Sequence, residues 1–226
     1  MLANLFPFKL LPLLFASVLA AELVVNQALL DKARKEYGPL AVQRMERWQT
    51  LISESKTLPE SEKLRVVNDF FNRMRFVNDI DHWGQEDFWA TPVEFLASGA
   101  GDCEDFSIAK YFTLRKLGVP DHKMRITYVK ALTLNQAHMV LSYFSKPGKE
   151  PVILDNLDKK IQPARNRKDL KPVYNFNGDG LWLSRRLGEG VRVGEADRIK
   201  LWTELRKRLT QTTGQGTPAN KTGTLP

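Results

Sequence analysis

The sequence predicts an α+β protein, with helices through its first half and an antiparallel sheet after them. Three observations carry that prediction. Apolar residues recur at helical spacing as far as residue 117. From Met124 onward the period shortens to the alternation of half-buried strands, in segments rich in β-branched and aromatic residues. Between the two regimes lies Gly99-Ala100-Gly101-Asp102-Cys103-Glu104-Asp105-Phe106, a glycine-rich turn that opens a helix and holds the only cysteine. A chain of 226 residues is long enough for one domain with a proper core.

The fold is expected to start after residue 20. Lys9 precedes the apolar run 10–20, Val18-x-Ala20 suits a cleavage site, and Glu22 follows. This pattern reads as a secretory signal peptide, too short for a comfortable membrane span. Residues 21–209 are read as the domain, with a helical part at about 26–98 and a core at about 99–190. The tail 210–226 is polar, rich in Thr and Gly, and expected to be disordered.

Helices are predicted at 26–37 and 40–55, separated by Gly38-Pro39. A third follows Leu58-Pro59-Glu60, with a stripe of Leu64, Val67, Phe71, Met74 and Val77. Residues 78–85 read as a polar loop. A short helix at 92–98 has Thr91 as N-cap and Pro92 at its first position. The helix at 107–117 is capped upstream by Asp102, with Asp105 in a capping-box position, and stopped by Gly118-Val119-Pro120. Strands are predicted at 124–132, 137–144 and 151–154. Residues 162–171 read as a basic loop, and Asn177-Gly178-Asp179-Gly180 marks a turn within 174–183. A final amphipathic helix spans 196–209.

The formal net charge of +8 and pI of about 9.6 would suit nucleic acid or an anionic surface. The basic residues are scattered, however, and no zinc-finger or RNA-binding signature accompanies them, so no nucleic-acid partner is expected. Cysteine usage says more. An exported chain usually pairs its cysteines, and a single one suggests a reactive thiol or an intermolecular bridge. Cys103 is placed in the first turn of a helix, where the dipole favours the thiolate. Of the three histidines, His82 and His122 lie in polar contexts and read as surface residues. His138 lies inside a strand and is a candidate general base for Cys103. Asp155 ends the next strand, within reach of the far imidazole nitrogen, where it would fix the tautomer.

A Cys on a helix start, a His on a strand and an Asp on the following strand is the order of the papain-like transglutaminase core. Four segments sharpen the match: Asp87 to Phe95 (DFWATPVEF), Gly101 to Phe106 (GDCEDF), Ala137 to Leu141 (AHMVL) and Val152 to Asn156 (VILDN). In that order and spacing they resemble the bacterial transglutaminase-like cysteine proteinases. The resemblance implies Cys103 as nucleophile, His138 as base and Asp155 as orienting acid. It implies a periplasmic endopeptidase that cuts a giant surface adhesin near its N-terminus at a paired-alanine site, so that a biofilm cell lets go. It also implies an inner-membrane receptor for a cyclic dinucleotide, whose periplasmic domain holds the protease. Trp83 and Phe88 are candidate exposed contacts for it, although each reads equally well as core, and membrane association would be only through that receptor.

Asp102, Glu104 and Asp105 crowd negative charge against a thiol that must ionise, which opposes the helix dipole. From the residues alone, helix capping and a bound Ca²⁺ explain them equally well. The resemblance favours Ca²⁺, with these three acids as ligands. Two other readings stay open at this stage. One is a transglutaminase or other acyltransferase on the same core; the other is a non-catalytic calcium-binding interaction module. The backbone N–H of Cys103 and a group near Trp89 are the expected oxyanion donors.

Overall fold

The computed structural model describes residues 25–187 and 189–214. The expected signal peptide therefore lies outside the described residues, as does the tail beyond 214. Three helices open the chain: α1 (Gln27–Tyr37), α2 (Pro39–Ser55) and α3 (Glu60–Phe71). A short strand β1 (Arg75–Phe76) and a single helical turn α4 (Asp79–His82) lead to α5 (Pro92–Ser98). Strand β2 (Ala100–Gly101) pairs in parallel with β1 and delivers the chain into α6 (Cys103–Lys116). The sheet follows: β3 (Met124–Ala131), β4 (Gln136–Tyr143), β5 (Val152–Leu154), β6 (Gln162–Pro163), β7 (Leu170–Phe176), β8 (Leu181–Arg186) and β9 (Glu189–Gly194). Its seven strands are antiparallel, in the order β6-β5-β4-β3-β7-β8-β9. Helix α7 (Lys200–Gly214) closes the described chain. The α+β layout predicted from the two periodicities is the observed one.

Helix α6 is the hub. Ile108, Tyr111 and Leu114 are fully buried, and the helix lies between the N-terminal helices and the sheet. Trp48 of α2 reaches it through an Nε1–H that donates to Thr113 Oγ1 at 2.9 Å. Strand residues Met124, Ile126, Met139 and Leu141 face the helices and join the same core. Val129, Ala131, Val140, Ile153 and Leu170 make a second, smaller cluster. Trp202 of α7 meets Phe176 edge to face at 5.1 Å, and Phe176 stacks on Trp89 at 5.6 Å. This chain of rings ties α7 to the sheet and to the loop before α5.

Four local expectations are corrected. The loop expected at 78–85 contains α4, whose four residues are too few to show a helical period. The basic loop expected at 162–171 contains β6, a 3₁₀ turn over Ala164–Asn166 and the start of β7. Pro172 hides β7 in the sequence, since an interior proline argues against a strand. The register shift opposite Tyr128/Val129 absorbs it. Strands β8 and β9, for which no strand was expected, close the sheet on that side, and β9 is a glycine-flanked edge segment without a strong alternation. The last helix was expected at 196–209. Residues Ala196–Arg198 form a 3₁₀ turn instead, and α7 runs on to Gly214, because an established helix adds one bond per residue even through weak formers.

Candidate active site and acidic cluster

Cys103 is positioned by backbone demands on its own loop. Gly99 ends α5 in the left-handed region, φ +80°, which a side chain would strain. At Gly101 an added Cβ would lie 2.1 Å from Asp105 Oδ2, so only glycine lets the Asp105 carboxylate fold back over the turn. That carboxylate is fully buried. Its Oδ1 accepts from Ala90 N–H at 2.7 Å and its Oδ2 from Asp102 N–H at 3.3 Å. Asp105 thus staples the Trp89 loop to the start of α6, with Asp102 as N-cap residue.

His138 and Asp155 are brought together by the register of β4 and β5. Leu141 lies opposite Leu154, so the same register carried one step further puts position 155 opposite 140. Asp155 then sits diagonally from His138 on the same face, a spacing that side chains can span. His138 Nε2 and Asp155 Oδ1 are 2.8 Å apart, and both residues are buried. Burial alone would raise the Asp155 carboxyl. His138, the Leu157 N–H and Arg167 outweigh it and hold the group well below the ordinary carboxylate range. An ionised carboxylate has no proton to give, so Nε2 carries the hydrogen and Nδ1 is left as the basic nitrogen. Cys103 and His138 line one cleft of about 390 Å³ together with Glu104, Trp89, Tyr128 and Tyr174. His82 and His122 do not line it.

The thiol side of the cleft is electrostatically hostile. The Cys103 thiol donates to Glu104 Oε2 at 3.1 Å. Burial pushes this thiol well above its usual range, and the Glu104 and Asp102 carboxylates push it further. The acids themselves are displaced upward. Burial raises Glu104 and Asp105, and neighbouring carboxylates add to it. Asp79, buried in α4, is pushed up to about 7, chiefly by burial, with Asp102 and Asp87 adding to it. Among the described residues, Asp79 Oδ1 and Asp102 Oδ1 are buried with no hydrogen-bond partner.

Oxygens of Asp79, Asp87 and Glu104 lie within 4.8 Å of one another, as do oxygens of Asp79, Asp102 and Asp105. Hard carboxylate oxygens, two of them orphaned, fit a divalent cation of the calcium type. The structure therefore gathers the three acids expected from sequence and adds two that were not, Asp79 and Asp87. Asp87 stands at the head of the DFWATPVEF motif. Asp79 was hidden in an apparent polar loop, where a buried acid has no sequence signature. Trp83 and Phe88, read as exposed contacts or equally as core, are half-buried. Their rings lie 4.8 Å apart against the core, with the Arg208 guanidinium 4.6 Å from Phe88.

A family model for bacterial transglutaminase-like cysteine proteinases matches residues 43–169. A search of curated proteins gives no match. Among solved structures, Legionella pneumophila LapG is 44% identical, with a TM-score of 0.71 over 80% of this chain and 96% of that one. Its EGTA-treated form matches equally well. The calcium-bound form is 43% identical, with a TM-score of 0.70 over 82% of this chain and 99% of that one. With this agreement in sequence and fold, the chain belongs to the family of bacterial transglutaminase-like cysteine proteinases.

Proposed function

We propose that this cysteine proteinase is a calcium-dependent periplasmic endopeptidase that cuts a large surface adhesin near its N-terminus, at a paired-alanine site, and so promotes release from a biofilm. The observation that carries the reading is one cleft lined by a helix-start thiol and an imidazole whose far nitrogen is held by a buried carboxylate. In this reading His138 Nδ1 takes the Cys103 proton as the sulfur attacks the substrate carbonyl. Asp155 keeps the imidazole in the tautomer that can accept that proton and steadies the imidazolium. The acyl-enzyme is then hydrolysed by water. The Cys103 N–H at the helix start and a group near Trp89 serve the oxyanion.

Asp79, Asp87, Asp102 and Glu104, members of the clustered acids, are the residues that would hold Ca²⁺, and the calcium-bound form of the Legionella relative supports calcium as the ion. The ion supplies positive charge that offsets the carboxylates facing the thiol. Asp105 contributes differently, through its two backbone acceptor bonds, which keep the Trp89 loop against α6. Export by the N-terminal segment and retention by an inner-membrane receptor for a cyclic dinucleotide complete the proposal.

The test is incubation with an adhesin N-terminal fragment carrying the paired alanines, with and without a primary amine, read by mass spectrometry. One cut at the alanine pair, lost in Cys103→Ala and His138→Ala, is expected. Amine incorporation in place of hydrolysis would make the protein an acyltransferase. Processing that survives Cys103→Ala would remove the thiol from the mechanism.

A further inference from the structure

Asp155 is the most heavily bonded side chain in the site, and one of its partners belongs to no recognised part of the machinery. Its Oδ1 takes His138 Nε2–H and the Leu157 N–H, the latter at 3.0 Å. Its Oδ2 takes Arg167 Nη2–H at 2.7 Å. Its backbone carbonyl takes Asn72 Nδ2–H at 2.9 Å and Lys110 Nζ–H at 3.0 Å. Asn72 and Lys110 hold the peptide, while Arg167 is, among the described lysines and arginines, the one that holds the carboxylate.

Arg167 is only 3% exposed. Its guanidinium is oriented by Asp169, which accepts from Nε at 3.0 Å and from Nη2, the nitrogen that also serves Asp155, at 2.8 Å. The planar fork therefore bridges two carboxylates, one buried at the site and one at the surface. The sequence around it, Arg165-Asn166-Arg167-Lys168, looks like an ordinary solvated basic run. Its neighbour Arg165 is that kind of residue, exposed and paired with Glu150.

We propose that Arg167 is a positioning residue of the hydrolytic relay, acting on the thiol through Asp155 and His138. This rests on the thiol-protease reading above. A carboxylate with two free lone-pair directions can rotate about its χ angles and swing the imidazole with it. Arg167 pins Oδ2, so only Oδ1 faces the ring, and the imidazole is aimed at the cleft in one orientation. The cation also shares the buried negative charge, so Asp155 stays ionised in a site that would otherwise favour its protonation. A misplacement of the base by about 1 Å can cost about a hundredfold in turnover. Arg167 does not line the cleft that holds Cys103, so substrate binding should not depend on it.

Arg167→Gln should lower kcat on the adhesin fragment by about a hundredfold and leave KM within about twofold. Arg167→Lys, which keeps the charge without the fork, should recover part of that loss, whereas the control Arg165→Gln should change neither constant. In an Asp155→Ala background, Arg167→Gln should change kcat/KM by less than about twofold, because its route to the thiol has already been cut. Wild-type kcat in Arg167→Gln, or a loss that multiplies with that of Asp155→Ala, would overturn the proposal. Asp169→Asn, at a partly exposed position, gives a milder variant of the same sign if Arg167→Gln folds poorly. A second readout needs no substrate. The His138 Nε2–H bonded to Asp155 should give a protected, downfield proton signal in NMR, lost in Arg167→Gln and kept in Arg165→Gln. If the wild-type enzyme leaves the adhesin uncut yet this signal behaves as stated, the substrate reading fails and the positioning role stands. A signal unchanged in Arg167→Gln removes that role.

Discussion

Two groups of buried or half-buried carboxylates lie in or behind the walls of the same cleft, and the protein treats them in opposite ways. Asp155 is saturated, with both oxygens and its own carbonyl bonded and Arg167 beside it, and it is held below its ordinary range. Asp79, Asp102 and Glu104 have carboxylate neighbours and, among the described residues, no ion-pair partner; two of their oxygens are orphaned and their values are held up. Burying a charge is tolerable only where it is paired. The difference teaches that one acid is complete within the polypeptide, whereas the others keep orphaned oxygens among the described residues, which is the feature the proposed calcium would answer.

The sharpest way to break this comparison is to neutralise one acid of each kind. Asp155→Asn leaves Arg167 short of a counter-charge inside the protein. It should cost about 3 kcal/mol or more, roughly 10 °C in Tm, whether or not calcium is present. Asp79→Asn should do the reverse in calcium-free protein, raising Tm by removing repulsion, while abolishing the stabilisation that calcium gives. Thermal melts of both variants with and without calcium check the pair. A calcium-free Asp79→Asn protein less stable than wild type would show that the cluster is satisfied after all.

Calcium itself should come next in size. At a hundred times its Kd, an ion that binds only the folded state adds about 2.7 kcal/mol. For a chain of this length that corresponds to a Tm shift of about 5–10 °C. Mg²⁺ should substitute poorly, because it demands tight octahedral geometry and dehydrates reluctantly. Equal Tm in calcium-stripped and calcium-loaded protein would remove the metal assignment and leave Asp102 and Asp105 as helix caps.

The two kinds of acid should also give opposite slopes with pH. The metal-free cluster has folded values above the unfolded ones, so its penalty is present at neutral pH and fades as acid protonates it. Calcium-stripped protein should therefore gain stability as pH falls from about 7, the value for Asp79, toward about 4, where the unfolded carboxylates titrate. Asp155 has a folded value below the unfolded one. Its contribution is intact above about 4 and lost only below it. Lys110, pushed down to about 7 by burial, adds slope only above that value. With calcium bound, the same fall in pH protonates the ligands and expels the ion, so stability should drop across pH 7 to 4. Melting curves at fixed ionic strength check the reversal.

Much of this site could be read from the chain before any coordinates. Cys103 and Asp155 announce themselves because each sits at a junction between a turn signal and a regular period, and His138, inside a strand, does so as the histidine that pairs with them. Asp102 and Asp105 do so through capping positions on a well-marked helix. What stayed hidden has a common physical cause: burial of a polar residue is a tertiary fact with no local period. Asp79 looks like loop polarity, and Arg167 looks like one more charge in a basic run. Lys110, on the inward face of α6, looks like a solvated helix residue although it is 1% exposed. The α+β layout was legible because stripes and alternation are local. Strands β6 to β9 were not, since Pro163, Pro172 and the glycines around β8 and β9 obscure the alternation.

The smallest expected effect tests whether pairing alone, away from the cleft, behaves like either kind. Glu60 sits at the start of α3 and accepts from Lys123 Nζ at 2.9 Å and from the Tyr143 hydroxyl. Burial raises its carboxyl, but the Tyr143 and Lys123 bonds outweigh that and hold it below the ordinary value. In sign it resembles Asp155. In exposure it does not, for a third of its side chain is open to solvent, where screening weakens the ion pair. Glu60→Gln keeps an acceptor for Tyr143 and loses only the charge opposite Lys123. It should cost about 0.5–1 kcal/mol, about 1–4 °C in Tm, by the same amount with and without calcium and with cleavage unchanged. A loss as large as that of Asp155→Asn would mean that the cleft acids owe their behaviour to something other than burial. A loss that calcium repairs would tie α3 to the metal cluster, a connection that the distances do not make.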